Sequence, residues 1–270
     1  MKKLNLLLLL LGVSASSFAD NNIESDLTNA SFQKFDNQYY MGLGYGYGNL
    51  QNGYNQNANY GVINLGLGVE RLFDIGLWIR FDALMMSNYY NYSNNPNTSS
   101  VITAGMDPSF ANLNMKLGYA FTTIQDTLQL TPYVLAGRNT NLSANAINNN
   151  TDTDGGTNNF TTNSTQDYFL TGGLGGRVEW RLDDAVMLYA DQNILYNADM
   201  SHPNSNYSSA SNTAFNTQLG AKFNVWKELQ IGAQAQYSHY VMSNNPTQMQ
   251  MFQMNPTDMI SGMVTIGLTY

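Results

Sequence analysis

Stretches of about ten residues, in which apolar side chains alternate with small or polar ones, recur along this chain, each followed by a polar connection. Alternation with a period of two is typical of a β-strand whose two faces meet different surroundings. In the last stretch the apolar face consists of Val264, Ile266, Leu268 and Tyr270. We therefore expect an all-β fold in which one face of every strand is apolar.

The opposite face of these stretches is too polar for a dry core. Between Leu229 and Tyr237 it carries Gln230, Gln234 and Gln236. Buried amides need hydrogen-bond partners, so this face must be wet or internally hydrogen-bonded. Near the start of the chain, four glycines between Gly42 and Gly48 hold the equivalent positions, and we expect them to lie against bulky neighbours across the interior.

Ten such stretches can be marked, and eight or twelve strands remain possible. The ten lie near residues 39–50, 59–72, 76–90, 108–122, 127–139, 166–182, 185–197, 212–225, 228–242 and 258–270. The connections alternate between short ones, at 73–75, 123–126, 183–184 and 226–228, and long polar ones, at 51–58, 91–107, 140–165, 198–211 and 243–257. Short periplasmic turns and long extracellular loops are typical of a transmembrane antiparallel up-and-down β-barrel. We expect the loop at 140–165 to be flexible and exposed.

The chain begins with the three parts of a secretory signal peptide. Lys2 and Lys3 precede an apolar run that ends at Val13, and small residues lead to Ala19. The apolar run is too short to anchor the chain in a bilayer, and beyond Ala19 no stretch approaches the roughly 18 apolar residues of a membrane helix. We predict a signal peptide at 1–19 cleaved after Ala19, a flexible periplasmic segment at 20–37, and the barrel at 38–270.

Charge and composition exclude several classes of function. Loss of the leader lowers the count of Lys and Arg from 11 to 9 against 19 Asp and Glu, which gives a net charge of −10. Such a chain is repelled by phosphate backbones, so nucleic acid is not an expected partner. The absence of cysteine excludes disulfides, thiolate metal sites and a cysteine nucleophile. We expect neither a metal nor a cofactor.

The C-terminal pattern of Val264, Ile266, Leu268 and Tyr270 carries a family resemblance. It resembles the assembly signal of small outer-membrane β-barrel proteins of Gram-negative bacteria, the OmpA-like and porin-like barrels, with tyrosine in place of the commoner phenylalanine. The resemblance extends from Tyr39 to Tyr270 and identifies no subfamily. It implies a location in the bacterial outer membrane, contact with outer-membrane lipid and lipopolysaccharide, and insertion by the barrel assembly machinery.

Charged residues on the polar face of the predicted strands are expected to point into the lumen. They are Glu70, Arg80, Asp82, Lys116, Arg177, Glu179, Arg181, Asp191 and Lys222. Both signs occur, and unpaired buried charges are costly, so we expect these side chains to pair with one another or to contact water. Such a network either holds the barrel together or lines a path for solutes. Arg138 lies on a strand that contains Pro132, and the alternation there is compatible with either an inward or an outward side chain.

Two possible catalytic units are incomplete. Asp199 and His202 share a loop and resemble part of the rim site of the omptin proteases, but the paired aspartates of that family are missing, because Asp82 is alone on its strand. Ser238 and His239 are adjacent, so on a strand they face opposite sides and cannot act on one substrate. We expect His239 to lie at the outer membrane interface.

These observations favour a non-enzymatic outer-membrane barrel with a structural role, a surface-recognition role or both, in which extracellular loops contact an unidentified ligand. A narrow porin-like channel for small solutes is the alternative hypothesis. An omptin-like rim hydrolase is a more distant one.

Overall fold

The computed structural model describes residues 30–51, 57–92, 100–102, 110–122, 126–147, 161–199, 211–242 and 253–270. Helix α1 spans Ala30–Asp36. The strands are β1 Gln38–Gln51, β2 Asn57–Leu72, β3 Leu77–Tyr92, β4 Ser100–Ile102, β5 Phe110–Tyr119, β6 Phe121–Thr122, β7 Leu128–Ile147, β8 Thr161–Arg181, β9 Val186–Asp199, β10 Asn212–Trp226, β11 Leu229–Met242 and β12 Gln253–Thr269. The predicted signal peptide lies outside the described residues, as do Asp20 to Asn29. Within the described ranges, α1 is too short to cross a membrane.

The strands form a closed antiparallel barrel of ten strands, as predicted. Strands β5 and β6 together make one barrel strand, and β4 is a short addition to the end of β3. Closure comes from the pairing of β1 with both β2 and β12. A path of paired residues that starts at Gln38 and passes once around the barrel returns to β1 near Asn49, so the strands are staggered and tilted.

Alternation along each strand separates an apolar outside from a polar inside. The apolar residues of the C-terminal pattern, Val264, Ile266 and Leu268, face outward and are exposed. Tyr270 stacks on Tyr39 with ring centroids 4.9 Å apart, and its backbone N–H donates to the carbonyl of Asn37 at 3.1 Å. The last strand is thereby joined to the residue that precedes the first.

Side chains fix the short turns at one end of the barrel, which we call the short-turn end. Gly76 has φ of +83°, a conformation that favours glycine, and its N–H donates to the carbonyl of Phe73 at 2.9 Å. In the β8–β9 turn, Asp183 Oδ1 accepts hydrogen bonds from the N–H groups of Ala185 and Val186 at 2.8 and 2.7 Å. Carboxylates commonly bond their own backbone in this way at turns.

The glycines of β1 lie beside a neighbouring strand, so the expectation that they face bulky groups across the interior is wrong. Added Cβ atoms at Gly42 and Gly44 would meet Met263 of the adjacent strand β12. Elsewhere three inward tyrosine rings lie over glycines of adjacent strands: Tyr40 over Gly68, Tyr133 over Gly175 and Tyr189 over Gly220. The missing side chains make room for rings that fill the interior.

Strands β7 and β8 extend further than predicted at the opposite end, which we call the long-loop end. Their pairing continues to Ile147 and Thr161, within the expected loop 140–165. Backbone pairing needs no apolar alternation, so these polar arms gave no signal in the sequence. Gln253 and Met254 of β12 pair with Asn145 and Ala144 of β7. Since β7 and β12 are not neighbours in the barrel wall, this pairing crosses the opening of the barrel at the long-loop end.

The expectation of a flexible segment at 20–37 is wrong for residues 30–37. Phe32, Phe35 and Asp36 of α1 are fully buried inside the barrel. Their spacing places all three on one face of the helix, and seven residues, about two helical turns, are too few to give a clear periodic signal.

Candidate functional site: the charged interior

Helix α1 lies inside the barrel at its short-turn end. Gln33 Nε2 donates to the carbonyl of Leu72 at 3.2 Å and to Asp74 Oδ1 at 2.7 Å, so the helix is tied to the β2–β3 turn. Asn37 Oδ1 accepts from the N–H of Leu72 at 2.7 Å. The buried face of α1 therefore points up the barrel axis toward the charged interior.

Lys222 of β10 binds the end of this helix. Its Nζ lies 2.7 Å from Asp36 Oδ1, 2.9 Å from Glu70 Oε2 and 3.1 Å from the carbonyl oxygen of Phe35. An ammonium with three oxygen partners has satisfied all of its donors. The sequence places Lys222 far from α1, and only barrel closure brings the two together.

Arg177 of β8 is the centre of the interior, and its side chain is 0% exposed. Its guanidinium lies 2.5 Å from Glu179 Oε1, 3.1 Å from Glu70 Oε1 and 3.9 Å from Asp36 Oδ1. The group also sits over the ring of Tyr189, 4.4 Å from its centroid. We call Asp36, Glu70, Arg177, Glu179 and Lys222 the inner network.

Neutral donors complete the inner network. Gln38 Nε2 and Trp78 Nε1 donate to the two oxygens of Glu70 at 3.1 and 3.0 Å. Gln129 Nε2 donates to Glu179 Oε2 at 2.7 Å and to Asp36 Oδ2 at 3.3 Å. Every carboxylate of the network thus has both a cation and a neutral donor, as buried charges require.

Two further ion pairs lie next to the inner network, toward the long-loop end. Lys116 Nζ binds Asp191 Oδ2 at 2.7 Å, and the hydroxyl of Tyr133 donates to the same carboxylate. Arg80 Nε lies 3.0 Å from Asp82 Oδ2, and the hydroxyl of Tyr40 also donates to Asp82. Arg80 Nη1, 3.7 Å from Glu70 Oε2, connects this pair to the inner network.

The structure places eight of the nine residues predicted to face the lumen in ion pairs inside the barrel. Arg181 differs: it binds Asp184 at 2.9 Å at the short-turn end, where the two side chains are 19% and 75% exposed. The sequence did not predict which face of its strand carries Arg138. In the structure Arg138 lies on the outer face and is exposed. The sequence did not predict that Asp36 belongs to the inner network, because Asp36 precedes the first strand and lies outside the period-two alternation.

The three acids of the inner network resemble a metal-binding group. Carboxylate oxygens of Asp36, Glu70 and Glu179 all lie within 4.8 Å of one another, and hard cations prefer such ligands. Arg177 already contacts all three acids, and Lys222 contacts two of them. We therefore interpret the group as an ion-pair cluster in which each of the three acids contacts a side-chain cation.

Toward the long-loop end the interior is lined by neutral amides and hydroxyls. Thr171 Oγ1 donates to Asn197 Oδ1 at 2.6 Å, and Asn197 Nδ2 donates to Asn212 Oδ1 at 2.7 Å. Gln218 Nε2 donates to Gln234 Oε1 at 2.5 Å. These bonds run between side chains of adjacent strands and satisfy polar groups inside the barrel.

The candidate catalytic residues fall into two cases. Ser238 is buried inside the barrel and His239 is exposed outside, so the two face opposite sides, as the strand geometry predicts. On the outer face His239 Nδ1 lies 2.8 Å from Asp258 Oδ1, and Tyr237 Oη donates to the same oxygen at 2.5 Å. His202 and the side chain of Asp199 lie outside the described residues.

Comparisons with known proteins support the fold. No protein-family model matches the chain, and no curated protein matches it. The β-domain of the Bordetella autotransporter BrkA is similar in structure, with a TM-score of 0.50 and 11% identity over 87% of this chain and 100% of that one. The translocator domain of the autotransporter NalP from Neisseria meningitidis has a TM-score of 0.41 and 11% identity over 99% of this chain and 96% of that one. The fold is that of an outer-membrane β-barrel.

Proposed function

We propose that this chain is exported, resides in a bacterial outer membrane, and acts there as a non-enzymatic barrel with a closed lumen. The observation that carries the proposal is the complete burial of the inner network, which lies against the buried face of α1. Asp36, Glu70 and Glu179 are all 0% exposed. A continuous water path through that level would wet these carboxylates. A closed barrel does not conduct, so we assign recognition to the long loops at the other end.

The proposed partners follow from the same placement. The apolar outer band faces outer-membrane lipid, and its upper edge meets lipopolysaccharide. Assembly depends on the C-terminal pattern ending at Tyr270, which we propose is read by the barrel assembly machinery. The described charges of the interior lie in ion pairs with one another, which supports a structural rather than a catalytic use of these charges.

Single-channel recording in planar bilayers tests the closed lumen. The mature chain should give no stable conductance steps. Deletion of residues 20–36 removes α1 with Asp36 and keeps Asn37, the partner of Tyr270. This deletion should expose Lys222 and Arg177 and allow ion flow through the amide-lined half. Lys34→Ala, on the exposed face of α1, is the matched control and should stay silent.

Stable steps from the intact mature chain would refute the proposal and favour the porin-like alternative. Folding of each variant is checked by heat-modifiable mobility on gels. Silence of the truncated barrel would assign the closure to strand side chains rather than to α1.

A further inference from the structure

The lipid-facing surface carries one polar interruption. Among the described residues, outward polar side chains other than tyrosine lie near the ends of the barrel wall, as Arg71, Arg138 and His239 do, with two exceptions. The exceptions are Gln192 of β9 and Thr217 of β10, both exposed on the outer face. They are direct partners in the sheet, so the two exceptions form a single site.

Gln192 lies in the middle of an apolar run. The outward residues of its strand are Leu188 and Ala190 on one side and Ile194 and Tyr196 on the other. No described residue makes a hydrogen bond with the side chain of Gln192. In hydrocarbon an amide without a partner is strongly unfavourable, and acyl chains offer neither donors nor acceptors.

The surface beside Gln192 is shaped for close approach. Gly172 and Gly176 face outward on β8, and Gly176 is the sheet partner of Gln192. A Cβ at either glycine would have no atom within 4 Å, so no described side chain of the barrel covers these two positions. Between them Leu174 projects with 67% of its surface exposed. Small residues let the backbones of two membrane-embedded surfaces approach closely.

We propose that this face, formed by Gly172, Leu174, Gly176, Gln192 and Thr217, is the contact between two copies of the chain in the membrane. An amide carries both donors and an acceptor, so two Gln192 side chains related by a two-fold axis satisfy each other. By symmetry, a second copy of the chain presents its own Gln192 amide at the same depth in the membrane. The face has no charged residue, and its depth excludes a water-soluble partner.

Cross-linking in lipid vesicles tests the dimer, and the absence of cysteine from the chain gives a clean background. Ala190→Cys places a thiol beside Gln192, and Leu65→Cys places one on the outer face of β2 as the matched control. With a flexible bismaleimide, the purified Ala190→Cys protein should form covalent dimers and the Leu65→Cys protein should not. Adding Gln192→Leu to Ala190→Cys should weaken dimerisation about tenfold while leaving heat-modifiable mobility intact.

Equal cross-linking of the two cysteine variants would overturn the proposal. So would an unchanged dimer yield with Gln192→Leu. Cross-linking of Ala190→Cys to a different protein in cell envelopes, with a monomer in vesicles, would also overturn it and assign the face to another membrane protein.

Discussion

Replacement of Arg177 by alanine tests whether the inner network is dry. Arg177 is the cation nearest to Glu179, at 2.5 Å, and among the described ion pairs it is the one that binds this carboxylate. Glu70 would keep Lys222 at 2.9 Å, but Glu179 would keep only the amide of Gln129. Breaking a buried pair by removing one partner costs about 3–5 kcal/mol, and we expect a loss of that size.

Arg181→Ala is the matched control on the same strand. Its partner Asp184 is 75% exposed, and exposed pairs contribute about 0–1 kcal/mol. Urea unfolding in detergent micelles, followed by tryptophan fluorescence, measures both losses. Since the cost arises from the orphaned carboxylate, Arg177→Met combined with Glu179→Gln should recover much of the stability.

Equal losses for Arg177→Ala and Arg181→Ala would refute the reasoning. That result would mean that water reaches Glu179 and screens it, so the lumen would be wet at this level. A double variant no more stable than Arg177→Ala would assign the loss to packing over Tyr189 instead.

Four further outcomes are expected. Intact-mass analysis of membrane-extracted protein should show a chain that starts at Asp20. Deletion of Tyr270 should impair folding, read as heat-modifiable mobility, far more than Tyr237→Asp, because Tyr270 joins the last strand to Asn37. Phe35→Ala should lower the free energy of unfolding by about 3–5 kcal/mol, since the ring is fully buried, whereas Lys34→Ala should change it little. Protease added to whole cells should cut within residues 148–160 and leave the barrel intact; protection there would contradict an exposed loop.

The alternation of side chains was enough to predict the barrel. A period of two assigns each residue to a face, so the strand count, the apolar outside and the inward direction of residues such as Glu70 and Lys116 follow from local sequence. Short and long connections also follow, because turn-forming residues act locally. For the same reason Ser238 and His239 could be separated without a structure.

The sequence did not predict the role of α1 or the partners of each charge. Asp36 lies 186 residues from Lys222 in the chain, and the two meet only because the barrel closes and the helix turns inward. Arg181 has the inward parity, but its height on the strand places it beside Asp184 in the exposed turn. The face on which a side chain lies follows from the alternation of its neighbours along the strand. Its level along the barrel axis and its ion-pair partner depend on the stagger of the whole sheet.

The sequence by itself determined which face of each strand meets lipid, because a side chain's direction along a strand is set by its position alone. Only the tertiary structure decided that the buried face of α1 packs inside the barrel and that Gln192 and Thr217 are direct partners in the sheet. Both depend on which residues of different strands lie at the same level. That register is fixed by closure of the sheet, and no local pattern records it.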